Sequence, residues 1–119
     1  MAPAILLIGL PLEGIADPEL FKKISKGIEE VQTTLSKAGY ELRLVHAAPK
    51  VGNEEVIEAI TSLKWDAVVI GFGMRGMPEH TVFFEWLVNE VKDKAPQAKI
   101  GFNVDPESTL DCVKRLVPV

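Results

Sequence analysis

Apolar residues along this chain follow two rhythms that alternate four times. The first run, Ala4 to Leu10, is almost continuously apolar, as a short strand buried on both faces requires. From Pro18 to Lys37 the rhythm changes. Leu20, Ile24, Ile28, Val31 and Leu35 recur at three- and four-residue spacing, which predicts an amphipathic helix with one buried stripe. Asp17 suits the N-cap, Pro18 the first helical position and Glu19 the positive end of the helix dipole. Gly39 follows as a left-handed cap.

The second unit repeats this grammar. Glu41 to His46 alternates, with Leu42, Leu44 and His46 on one face and Arg43 and Val45 on the other, as expected of an edge strand. Asn53 caps a helix that carries Val56, Ile57, Ile60 and Leu63 and ends near Trp65. The third strand, Asp66 to Gly71, is apolar enough to be central. A third helix begins near Pro78 with Val82, Phe83, Leu87 and Val91 as its expected inner face, and Pro96 stops it. Lys99 to Val104 is the fourth strand. Asp105-Pro106-Glu107 then opens a last helix packed by Leu110, Val113 and Leu116.

Strands alternating with helices predict an α/β domain with right-handed crossovers. The expectation is one small three-layer sandwich around a four-stranded parallel sheet of order 2-1-3-4, Rossmann-like or flavodoxin-like. Strands 2 and 4 are then the edges. An open edge, together with Phe84 and Trp86 lying off the inner stripe of the third helix, makes a homodimer one expected state.

Composition narrows the partners. The chain has 119 residues, a formal net charge of −4 and a pI near 5.2. That balance argues against nucleic acid and anionic membrane surfaces, both of which call for a basic patch. Lys22, Lys23 and Lys26 are followed by Glu29 and Glu30 and read as a solvated helix face. The amino-terminal apolar run is too short to span a bilayer. One cysteine, Cys112, excludes a disulfide framework within the chain, reads as a small core residue and suits a cytoplasmic setting.

Candidate chemistry gathers after the third strand. In open parallel sheets, ligands bind beyond the carboxyl ends of the strands, where the crossovers change direction. With order 2-1-3-4 that point lies between strands 1 and 3. There Gly71-Phe72-Gly73-Met74-Arg75-Gly76 forms a glycine-rich turn with one guanidinium, and Thr81 adds a hydroxyl at the following helix start. Gly71, Gly73, Arg75, Gly76, Thr81 and Asn103 are the expected contacts to a phosphate or carboxylate. His80 and His46 fall at the same sheet edge and are the candidate proton shuttles.

The turn matches G-x-G-x-x-G literally. The dinucleotide fingerprint, however, follows the first strand and needs an acid at the end of the second, where this chain has His46. No cofactor is therefore named. No ligand spacing indicates a metal, and no nucleophile elbow or phosphate-binding lysine loop is present.

The chain resembles flavodoxins and response-regulator receiver domains in architecture only. Its first loop, Gly9-Leu10-Pro11-Leu12-Glu13-Gly14, lacks the hydroxyls that hold a flavin phosphate, and Gly71 and Phe72 stand where receivers carry an aspartate. It more closely resembles small Rossmann-like proteins that share three features. These are a Val68-Val69-Ile70-Gly71 strand with a Gly73-Met74-Arg75 turn, an Ala95-Pro96-Gln97-Ala98 stretch and the pair Phe102-Asn103. That group has no assigned activity, so the resemblance implies a fold and no mechanism.

Two functions follow as expectations, the first leading and the second its alternative. One is binding of a small anionic ligand at the carboxyl edge of the sheet. The other is a non-catalytic protein interaction module, suggested by the apolar first loop and by Phe84 and Trp86. An open cleft holding Arg75 would favour the first, and a filled edge the second.

Overall fold

The computed structural model describes residues 2–119. Four strands, β1 (Ala4–Gly9), β2 (Glu41–His46), β3 (Ala67–Ile70) and β4 (Lys99–Phe102), form one parallel sheet of order β2-β1-β3-β4. Four helices connect and flank them: α1 (Pro18–Lys37), α2 (Glu54–Thr61), α3 (Thr81–Lys94) and α4 (Thr109–Leu116). The expected small α/β sandwich and its strand order are both observed.

The period of two along the strands divides the core between the two faces. Ile5, Leu7, Ala67 and Val69 meet Val31 and Leu35 of α1 and Cys112 and Val113 of α4. Leu6, Ile8, Val68 and Ile70 meet Val56, Ala59 and Ile60 of α2 and Phe83, Leu87 and Val91 of α3. All four residues of β3 are buried, because this strand has a neighbour on each side and helices above and below. Val68, Val69 and Ile70 each contribute roughly 1.5–3 kcal/mol through removal from water.

Local chemistry sets the helix ends. Asp17 accepts from the Glu19 amide at 3.0 Å at the start of α1. At its end, Gly39 has φ 94°. The Tyr40 and Gly39 amides then reach back to the Leu35 and Ser36 carbonyls, the double bond of a left-handed cap. Asn53 caps α2, accepting from Glu55 and Val56. Before α4, Asp105 and Ser108 cap one another reciprocally around Pro106.

Three apolar residues expected inside lie outside. Leu20 is 46% exposed because α1, at 20 residues, extends about 30 Å beside a six-residue strand of about 20 Å. Its first turns overhang the sheet. Leu63 is exposed because α2 stops at Thr61, where the Thr61 hydroxyl turns back to the Ile57 and Glu58 carbonyls and Ser62 to Ala59. The chain reverses there and buries Trp65 instead, whose indole N–H donates to the Ala59 carbonyl at 2.9 Å. Val82 is 68% exposed, since the inner line of α3 runs through Phe83, Leu87 and Val91. Phe84 and Trp86 are half-buried against the core on the α3 side of the sheet, Phe84 tilted against Phe102 and Trp86 against Phe83.

Candidate functional site

The turn after β3 is a closed corner rather than a cradle. Gly71 continues the ladder, its amide donating to the Ile8 carbonyl at 2.8 Å. The Phe72 amide donates to the side-chain oxygen of Asn103 at 3.2 Å. Phe72–Met74 then form one 3₁₀ turn, in which Met74 donates to Gly71 and Arg75 and Gly76 both donate to Phe72. Five of the six amides from Gly71 to Gly76 therefore already have partners.

Side chains fill the space beneath. Met74 is fully buried under the turn. A Cβ added at Gly73 would lie 2.9 Å from the Leu10 side chain, and one at Gly76 would lie 2.6 Å from the Phe72 ring. Neither residue has positive φ. Their lack of a side chain serves close packing.

Arg75 is exposed but restrained. Its guanidinium lies 4.9 Å from the Phe72 ring centre and 5.5 Å from that of Phe102, and one nitrogen donates to the Asn103 carbonyl at 3.2 Å. Arg75 makes no ion pair among the described residues. Asn103 is the hub of the corner. It is buried, accepts from Phe72, donates to the Thr109 hydroxyl at 2.9 Å and offers its carbonyl to Arg75. The expected orienter of a ligand thus ties β4, the turn and the start of α4 together.

The remaining expected residues are also engaged. The Thr81 hydroxyl donates to the Pro78 carbonyl at 2.7 Å, within the 3₁₀ turn Pro78–His80. His46 Nδ1 lies 3.0 Å from the Leu10 carbonyl, and His80 Nδ1 lies 3.0 Å from the Gly73 carbonyl. A carbonyl only accepts, so Nδ1 carries the proton in each ring and Nε2 keeps its lone pair when neutral. The two histidines hold the two loops whose Leu10 and Gly73 touch. Neither bonds a carboxylate among the described residues, so neither has the orienting partner of an acid–base pair. Among the described residues no group of three or more His, Cys, Asp or Glu is placed to hold a metal ion. Cys112 is buried, and burial pushes its thiol pKa up against the opposing pull of Arg115 and a backbone hydrogen bond at Phe102.

Around this closed corner lies an apolar rim. Leu20 and Phe21 overhang on α1, and Phe72 and Met77 flank Arg75. Phe102 and Val104 end β4, and Val51 and Val82 sit at the starts of α2 and α3. Only Leu63 and Val119, of the large exposed apolar side chains among the described residues, lie at the amino end of the sheet.

A shallow, open concave surface lies elsewhere, at the free edge of β2. A groove of about 460 Å³ is lined there by Arg43 to His46 and by Glu54, Glu55 and Glu58 of α2. Arg43 spans it, donating to Glu58 at 2.9 Å and to the Ser62 hydroxyl at 2.8 Å. Sequence reasoning passed over this groove, although Arg43 in an alternating edge strand and the acid run of α2 were both visible.

No family model matches the chain, and no curated protein matches its sequence significantly. No helix among the described residues is long and apolar enough to cross a membrane.

Proposed function

We infer that this protein is an interaction module without a catalytic site, and that it meets a protein partner through the apolar rim at the carboxyl end of its sheet. One observation carries this reading: exposed large apolar side chains are concentrated at that end, with Phe72 and Phe102 beside Arg75. Singly scattered apolar residues are ordinary, whereas a concentration at one end marks a contact surface. Arginine stacked on aromatics is typical of the centre of protein interfaces, because it brings donors with little ordering left to lose. The partner presents an apolar face and one acidic group for Arg75. The single buried cysteine accords with a cytoplasmic setting for this contact.

A second reading keeps the small anionic ligand. It is favoured by the exposure of Arg75 and by the guanidinium edges not engaged with Asn103. One experiment separates the two. The protein, an Arg75→Ala variant and a Phe72→Ser/Met77→Ser variant are compared in a thermal-shift series with phosphate, carboxylates, nucleotides and phosphosugars, and in partner capture and sedimentation. The module reading predicts no small-anion shift, and capture or self-association that the double variant loses. An anion that raises the melting temperature of the parent but not of Arg75→Ala establishes the ligand reading instead.

A further inference from the structure

We propose that the free edge of β2 accepts an extended, basic segment of another protein as a fifth strand. This surface is separate from the part of the rim around Arg75, since β2 lies two strands away from β3, roughly 10 Å at strand spacing.

The backbone supplies the template. Glu41 donates to Pro3 and Ala47 to Gly9, so the odd-numbered residues of β2 turn both backbone groups toward β1. By the alternation of a parallel ladder, Leu42, Leu44 and His46 turn theirs to the open side. The edge carries no proline, no lysine and no bulge in its register with β1, and its charged residues are Glu41 and Arg43 alone. An added strand satisfies three N–H and three C=O groups there, which is how extended peptides join sheets.

Charge chooses the occupant. The groove beside the edge holds three carboxylates, Glu54, Glu55 and Glu58, against one guanidinium, Arg43, which is already bound to Glu58. Glu54 and Glu55 are therefore free to receive lysine or arginine side chains on alternate positions of the incoming strand. A second copy paired through β2 would bring its own carboxylates toward these, an arrangement that like charge disfavours.

Isothermal titration and residue-resolved NMR with defined peptides test the idea. The probes are an alternating lysine–threonine decapeptide, its glutamate–threonine counterpart, and the lysine peptide N-methylated at alternate residues. The expected result is binding of the unmethylated lysine peptide alone, weakened by salt, with protection of the Leu42, Leu44 and His46 amides. A Glu54→Gln/Glu55→Gln variant, whose fold is checked by circular dichroism and whose Asn53 cap is retained, binds about tenfold more weakly, the loss of two exposed ion pairs. Phe72→Ser/Met77→Ser leaves this binding unchanged, which separates it from the rim. Equal binding of the acidic peptide, indifference to N-methylation, no binding by any probe, or self-association through β2 would each overturn the proposal.

Discussion

The corner after β3 and the edge of β2 make opposite use of their polar groups. The corner has the glycines, the arginine and the helix start that suggest a site, and the amides of Gly71, Phe72, Met74, Arg75 and Gly76 are all bonded within the protein. The β2 edge has an ordinary alternating strand and leaves every second backbone pair facing outward. Residue types that permit a ligand site also permit tight packing. Which of these they serve is decided by where the amides and carbonyls point.

The largest expected effect lies at the hub of the corner. Asn103→Ala leaves the buried Thr109 hydroxyl and the part-buried Phe72 amide without their partner, and should cost about 2 kcal/mol in urea unfolding. A loss below about 0.5 kcal/mol, the scale of an ordinary surface change, would mean that the corner is not held by this residue.

A smaller effect is expected at the glycines. Gly73→Ala and Gly76→Ala force the Leu10 and Phe72 side chains aside, and each should cost about 1 kcal/mol, the low end of overpacking, because the obstacle is a side chain and not backbone. Unchanged stability in both would show the turn to be looser than its contacts imply.

Arg75→Ala removes an exposed stack on Phe72 and Phe102 and should lower stability by about 0.5–1 kcal/mol. Its unfolding slope against denaturant should stay the same. On the β2 edge, Arg43→Ala should change stability least, by about 0.5 kcal/mol or less, since its partners are solvent-exposed. A larger loss from Arg43 than from Asn103 would reverse the contrast between corner and edge.

Much of the fold was legible because periodicity and capping agree along this chain. Asp17-Pro18-Glu19, Asn53 and Asp105-Pro106 mark helix starts in chemistry that is local in sequence, and Gly39 marks an end for the same reason. The all-apolar β3 identified the sheet centre. The misplaced residues failed for geometric reasons that spacing does not carry. Leu20 falls beyond the sheet, Leu63 beyond a helix stopped by hydroxyl back-bonds, and Val82 one step off the buried line.

The candidate site was legible in its parts but not in its contacts. The residues named from the sequence do gather: Gly71, Gly73, Arg75, Gly76 and Asn103 share the corner, with His80 holding the Gly73 carbonyl and His46 holding the Leu10 loop. That the Asn103 side chain bridges Phe72 and Thr109 is a tertiary fact with no local signal. The β2 groove was missed because it joins a strand to a helix whose residues are separated by the whole loop from Ala47 to Asn53.

Residue-resolved amide hydrogen exchange under native conditions tests this contrast most directly, since it reads backbone protection in both regions at once. The Gly71, Phe72, Met74 and Gly76 amides should exchange slowly, and those of Leu42, Leu44 and His46 fast. Fast exchange throughout the corner together with slow exchange at the three β2 positions would contradict the account.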